Sequence, residues 1–386
     1  DVGKKINIDW KNLDSFVYFI KTKKIDMLVV GPEMPLVDGL VDRLKSISSL
    51  SDLMIVGPGK AAARLEGSKA FAKTFMEKHD IPTAQHKTFT KAQSSEAVKY
   101  IQSNEGPYVL KADGLAGGKG VVILSDTNEA VQEAQAILNG KFGHAGNILV
   151  IESFLEGLEF SVFALCSKSN YILLPVAKDY KRIGEGDSGL NTGGMGSVSP
   201  VPGITADILK RVDKQIVKPT LQGLHSDGTD YVGFLFFGLI LVDGAPYVIE
   251  YNCRLGDPET QAVLPRIEND FVELLKSCVA DTLKADQLKI SENTAVCTIL
   301  ASEGYPGSYE KGKEMHIQNQ NRNIILAHAG TARKDGQLIT SGGRVMGSIG
   351  LDISPKRAKM KSQKGAASVQ FKGKYFRSDI GSDLGI

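Results

Sequence analysis

Val109-Leu110-Lys111-Ala112-Asp113-Gly114-Leu115-Ala116-Gly117-Gly118-Lys119-Gly120-Val121 reads as a strand, a four-glycine loop and a second strand. Glycines let backbone N–H groups close on phosphate oxygens, and Lys111 and Lys119 add positive charge. The stretch is not a Walker A loop. Asp113 stands where that loop needs its first glycine, Gly120 follows Lys119 where Ser or Thr is required, and a strand comes next instead of a helix. Nor is the spacing that of a G-x-G-x-x-G dinucleotide turn. Taken alone, the loop fits a flexible hairpin tip with two solvated lysines equally well.

Further along, Val248-Ile249-Glu250-Tyr251-Asn252-Cys253-Arg254 has the look of a strand whose alternation puts Glu250, Asn252 and Arg254 on one face. A carboxylate, an amide oxygen and a guanidinium together suit a magnesium ion and the phosphoryl group it bridges. A polar, solvent-facing strand side is the alternative, weakened by the polar turn Leu255-Gly256-Asp257-Pro258-Glu259-Thr260 that follows. A third feature is Asn191-Thr192-Gly193-Gly194-Met195-Gly196, preceded by Asp179-Tyr180-Lys181-Arg182. Its small residues permit close approach of backbone to ligand, and the acid and bases could hold a zwitterion; a mobile solvated loop fits it equally. Lys69, in Gly67-Ser68-Lys69, opens a helix, where a lysine opposes the macrodipole unless an anion sits nearby, which hints at phosphate. His328 reads as a structural histidine at a strand end, and the six histidines show no metal-ligand spacing.

Around these features the chain is ordinary. Its 386 residues predict two to four lobes, and 46 Lys+Arg against 44 Asp+Glu argue against a generic nucleic-acid surface. Cys166, Cys253, Cys278 and Cys297 form no CxxC pair and no disulfide framework, which fits a reducing cytoplasm. The longest apolar stretch, Tyr231 to Val242, is too short to span a bilayer and holds two glycines. Helical spacing over Leu13–Lys23, a strand at Ile25–Val30 ending in Gly31-Pro32-Glu33, a helix over about Leu36–Ile47 and a strand at Met54–Val56 predict a parallel sheet with covered faces. Ligands collect at the carboxyl ends of such strands, where Glu33 lies. A helix from Gly67 to about Lys78 leads into a small αβ lobe with strands near 108–112, 121–124 and 148–152. Antiparallel strands over 159–175, a long Gly-, Ser- and Thr-rich loop over 179–200, a helix over 205–224 and a hairpin turning at Asp243-Gly244 follow. The last hundred residues predict a separate β-rich lobe with one charged helix near 355–367. The fold class is α/β in several lobes, with α+β character: 1–60 an N-terminal lobe, 61–288 a catalytic region with a lid over about 83–152, and 289–386 a C-terminal lobe.

Together these stretches resemble the ATP-grasp superfamily and, within it, the phosphoribosylamine–glycine ligase family. The likeness covers nearly the whole chain. It rests on Val30-Gly31-Pro32-Glu33, Glu66-Gly67-Ser68-Lys69-Ala70-Phe71, the 111–120 loop, Asp179–Arg182, Asn191–Gly196, Glu250–Thr260, and His328-Ala329-Gly330-Thr331 with Gly342-Gly343-Arg344-Val345. The resemblance implies an ATP-dependent ligation of glycine to 5-phosphoribosylamine through a glycyl phosphate. It implies ATP and magnesium, or manganese in its place, with small-molecule substrates, no nucleic-acid or membrane partner, and a monomer or weak homodimer. It gives Lys69 and Lys111 to the ATP phosphates, with Gly114, Gly117, Gly118, Lys119 and Gly120 closing over them, and Glu152, Phe154 and Glu159 to adenine and ribose. Glu250 and Asn252 would bind the metal, Arg254 would steady the transferred phosphoryl with Lys111, and Asp257 would act beside them. Glu33, Asp179, Lys181, Arg182, Asn191, Thr192, Gly193, Gly194 and Met195 would hold the other substrates. Family members begin with a strand and a glycine-rich turn, so roughly 40 further residues, about one βαβ unit, are expected ahead of Asp1. The same residues leave room for another carboxylate–amine ligase of the superfamily, or for a nucleotide-binding protein without turnover.

Overall fold

Met27–Val29 and Met54–Val56 pair in parallel, Met27 opposite Met54 and Val29 opposite Val56, as their apolar runs predict. The computed structural model describes residues 3–115, 120–318 and 323–386. Helix Leu13–Thr22 precedes the first strand; the Asn12 side chain caps it by accepting the Ser15 N–H, and Phe16 and Ile20 are buried. The single helix expected over 36–47 is two, Glu33–Val37 and Leu40–Lys45. Gly39 between them has φ +81°, a left-handed conformation that interrupts the ladder. Helix Lys69–Lys78 likewise has a partner the sequence reading missed, Lys60–Gly67, which ends just before it.

The chain then builds an antiparallel sheet of its own, in the order His86–Thr90, Ile148–Ser153, Tyr108–Ala112, Val121–Leu124. Helices Ser94–Gln102 and Thr127–Ala136 pack on it around Phe89, Ile101, Leu110, Ala134 and Leu149. This is the predicted αβ lobe, with a core separate from the rest of the molecule.

Behind it stands a second antiparallel sheet, Ala245–Asn252, Gly233–Val242, Leu158–Cys166, Tyr171–Leu173. The hairpin turn falls at Asp243-Gly244, with φ +48° and +77°, the pair of positive angles that a two-residue turn demands. Strand Leu158–Cys166 is buried throughout from Phe160 onward instead of alternating. Phe160, Val162 and Ala164 enter one core while Phe163 and Leu165 enter another, so both faces are covered. Helix Ala206–Ser226 packs on the sheet as one run, its middle turn, Asp213–Val217, widened to π geometry.

The third sheet corrects the sequence reading most. Its order is Ile324–His328, Arg344–Asp352, Thr294–Ser302, Gly196–Ser199, Lys178–Asp179. The last two strands belong to the stretch 179–200 that reads as a loop, so the C-terminal sheet incorporates residues from the middle of the chain. Helix Pro355–Ser368 lies on this sheet through Ala358, Ser362, Gly365 and Ala366. Among the described residues no helix is long and apolar enough to cross a membrane.

Candidate active site

Three stretches far apart in sequence converge between the sheet of residues 86–153 and the sheet that ends in Ala245–Asn252. Lys111, on strand Tyr108–Ala112, donates from Nζ to the carbonyl of Ile249 at 3.1 Å, the residue before Glu250. Val248 donates its N–H to Pro82 at 2.8 Å, and Thr83 Oγ1 donates to the Val248 carbonyl at 2.7 Å. The strand carrying Glu250 and Asn252 is thereby stitched to the segment ahead of strand His86–Thr90. Gly238, opposite Glu250 in the ladder, makes space for it: a Cβ there would come within 3.0 Å of Glu250 Cγ.

Lys69 lies against Asp113 and Gly114. Its N–H donates to Asp113 at 3.2 Å and its Nζ to the Gly114 carbonyl at 3.3 Å. Asp113 also accepts from Ser68 Oγ at 2.9 Å and from the Ala70 N–H at 2.7 Å. The anion expected at this helix N-terminus is thus supplied by the protein, a carboxylate from the glycine loop itself. The hint of phosphate drawn from Lys69 alone therefore has an internal explanation. Across the loop, the Ala112 N–H donates to Gly120 at 2.8 Å, while Gly117, Gly118 and Lys119 lie outside the described residues.

Electrostatically the pocket is a ring of cations around a few acids. Burial would raise the Glu250 carboxyl, but Lys181, Lys111, Lys69 and Arg254 outweigh it and hold Glu250 below the usual carboxylate range. Burial lowers Lys69, with Glu250 opposing. Glu152 is buried between Lys111, at 2.8 Å, and Lys73, at 2.9 Å, which hold it ionised despite its burial. Lys181, half exposed, is raised by Asp179 first and also feels Glu250, Glu159 and Glu259.

Arg254 projects from the end of strand Ala245–Asn252 toward Glu66, at 2.9 Å, and Glu33, at 3.4 Å. It also reaches Asn252 Oδ1 at 3.4 Å. Glu66 accepts the Cys253 N–H at 2.7 Å with its other oxygen, and burial pushes its carboxyl up to about 7 against the pull of Arg254. Glu33, just past the carboxyl end of the parallel pair, thus faces Arg254. Glu250 and Asn252 supply a carboxylate and an amide oxygen, hard donors on one strand face. Among the described residues no group of three or more His, Cys, Asp or Glu side chains forms a metal cage. Such a sparse oxygen set fits magnesium, which keeps waters and takes substrate phosphates as ligands.

The loop residues take varied positions. Thr192 donates to the Lys181 carbonyl from both N–H, at 2.7 Å, and Oγ1, at 2.8 Å. Arg344, from the C-terminal sheet, donates to the Gly193 carbonyl at 2.6 Å and pairs with Asp257 at 2.7 Å. Tyr305 OH accepts the Gly193 N–H at 2.9 Å. Gly194, at φ +110°, packs so closely on Pro258 that a Cβ would lie 2.3 Å from its Cδ. Met195 is fully buried; its N–H donates to Tyr180 and its carbonyl accepts from Ile299, so it braces the loop and exposes no side chain. Arg182 spends its guanidinium on the Gly189 carbonyl at 2.8 Å, within the hairpin formed by 182–184 and 188–191 that also holds Asn191. Phe154 and Glu159 are both exposed, and Lys181 stands 3.7 Å from Glu159.

Family models of phosphoribosylglycinamide synthetase match the chain in three parts: the N domain over residues 1–66, the ATP-grasp (A) domain over 67–260 and the C domain over 295–383. The chain belongs to the phosphoribosylglycinamide synthetase family. It is 42% identical over 376 residues to the phosphoribosylamine–glycine ligase of Caldanaerobacter subterraneus subsp. tengcongensis, covering 97% of this chain and 89% of that one. To the phosphoribosylamine–glycine ligase of Haemophilus influenzae it is 42% identical over 388 residues, 98% and 88% of the two chains. The crystal structure of the Thermotoga maritima phosphoribosylamine–glycine ligase superposes with a TM-score of 0.83 at 35% identity, covering 98% of this chain and 90% of that one. A biotin carboxylase domain from Hydrogenobacter thermophilus, solved with MgADP, ADP and bicarbonate, superposes at 0.73 with 17% identity over 97% and 81%, a likeness of fold alone. The fold is ATP-grasp.

Within this phosphoribosylglycinamide synthetase fold, sequence reasoning missed Glu66, Lys73, Glu259 and Arg344 as parts of the site. Glu259 is buried beside Ser161 Oγ, at 3.2 Å; burial and then Asp179 raise its carboxyl to about 8. Glu66 and Arg344 stand inside stretches that carry the family likeness, yet no local pattern says what they touch. Lys73 reads as one more lysine on an amphipathic helix.

Proposed function

We propose that this chain joins glycine to 5-phosphoribosylamine with cleavage of ATP, giving glycinamide ribonucleotide, ADP and phosphate. The observation that supports it best is the meeting of Lys69, Lys111 and Glu250 in one pocket, within a chain of this ligase family. Lys69 and Lys111 present cationic donors to the triphosphate. Phe154 and Glu159, both exposed at the pocket's edge, flank adenine and ribose; the Glu152 side chain, enclosed by two lysines, acts through them.

Glu250 and Asn252 would hold magnesium, which would offset the negative charge of the triphosphate. Asp179, Lys181 and the 191–194 loop hold glycine as a zwitterion. A glycine carboxylate oxygen attacks the γ-phosphorus in line, the bond to the bridging oxygen of ADP breaks, and a glycyl phosphate forms. Arg254 faces the equatorial oxygens, where charge is carried in the transfer. The phosphoribosylamine nitrogen then attacks the acyl carbon, the carbon–oxygen bond to phosphate breaks, and the nitrogen gives up a proton. Water competes for the same acyl carbon, so the lid must stay closed between the two steps.

ADP release measured with each substrate omitted in turn tests this. Turnover is expected to require both glycine and phosphoribosylamine; release indifferent to glycine would discard the assignment.

A further inference from the structure

Lys73 lies one helical turn beyond Lys69, with its side chain 3% exposed, and the reaction as described makes no use of it. Its Nζ donates to Thr83 Oγ1 at 2.7 Å and stands 2.9 Å from Glu152 Oε2. From there the contacts close into a ring. Thr83 Oγ1 donates to the Val248 carbonyl at 2.7 Å, Glu152 Oε1 stands 2.8 Å from Lys111, and Lys111 donates to the Ile249 carbonyl at 3.1 Å. One lysine thereby touches the lid's entry segment and the carboxylate that flanks Lys111, both next to the strand bearing Glu250.

We propose that Lys73 is a positioning residue for nucleotide binding, holding Glu152 so that Lys111 keeps both its place and a positive charge uncancelled by its neighbour. The inference rests on Lys111 meeting the ATP phosphates. With one lysine, a buried carboxylate makes a neutral pair and offers an incoming polyphosphate nothing. With two, the trio carries a net positive charge in surroundings where screening is weak. Burial draws the Lys73 ammonium down to about 8 against the raising influence of Glu152, so it is still largely charged at neutral pH.

The test compares the affinity of the full chain for ATP with magnesium and for adenosine. In Lys73→Met, ATP affinity is expected to fall about tenfold or more, with adenosine unchanged. Lys73→Arg should keep most of the ATP affinity. The double variant Lys73→Met/Glu152→Gln, which removes one charge of each sign, should recover much of it; this variant also decides the matter if Lys73→Met alone does not fold. Unchanged ATP affinity in Lys73→Met, equal losses for ATP and adenosine, or a double variant weaker than the single one would each overturn the inference. Lys111→Met separates the two readings: if it leaves ATP affinity intact, the phosphate role of Lys111 fails. If it weakens ATP while Lys73→Met does not, only the role of Lys73 fails.

Discussion

At Glu250 a single carboxylate faces four cations, and its removal is the sharpest test of the metal face. Glu250→Ala is expected to abolish turnover while leaving thermal unfolding within a few degrees of the parent, because loss of an oxygen ligand to a phosphoryl-transfer metal costs several kcal/mol in the transition state. Steady-state ADP release together with a melting curve checks both halves; near-normal turnover would refute the role. Glu66 offers a test by pH. Its carboxyl is raised from the ordinary 4.5 to about 7, mainly by burial. Between those values the folded state binds more protons than the unfolded one, so stability falls as pH rises through the window and the contribution is gone above about 7. Glu66→Gln lacks this titration. Denaturant unfolding at pH 5 and pH 8 should therefore show the parent losing stability relative to the variant at the higher pH. Glu250, Asn252 and Arg254 were legible because strand alternation is local. Glu66 and Lys73 were not, because their partners lie on strands that no short pattern connects to them.

Elements with strong local signals were legible nearly residue for residue: Tyr108–Ala112, Val121–Leu124, Met54–Val56 and the Asp243-Gly244 turn. The helix expected near 355–367 is Pro355–Ser368, and its packing could not be read ahead of the structure. Its buried stripe, Ala358, Ser362, Gly365 and Ala366, has helical spacing but consists of small residues, so hydrophobicity does not mark it. Small residues are there because the helix sits almost on the backbone of strand Arg344–Asp352. Ser362 Oγ reaches Thr298 Oγ1 at 2.7 Å and the Ser348 carbonyl at 2.8 Å. A Cβ on Gly350 would stand 2.1 Å from the Ala358 carbonyl oxygen. Gly350→Val should accordingly push helix from sheet and destabilise the fold by about 3 kcal/mol, read as a lowered denaturation midpoint. Strand His86–Thr90 escaped the sequence reading because polar residues interrupt its apolar periodicity, and helix Lys60–Gly67 because its eight residues bury small alanines instead of a marked apolar stripe.

For the whole molecule, the interlocking of its sheets could not be read along the chain. Gly196–Ser199 pairs with Thr294–Ser302 in register from Gly196 opposite Thr298 to Ser199 opposite Ala295, contacts about a hundred residues apart that depend on three-dimensional closure alone. Arg344 then ties Gly193 and Asp257 to the same sheet. The molecule's termination point in synthesis consequently matters: a ribosome that stops near residue 290 would release a chain whose segment 196–199 has a bare hydrogen-bonding edge and whose glycine-rich loop lacks its guanidinium tether. Expressed on its own, a fragment ending at Ile290 should partition into the insoluble fraction, and co-expression with the remaining hundred residues should return it to solution by strand exchange between the two pieces.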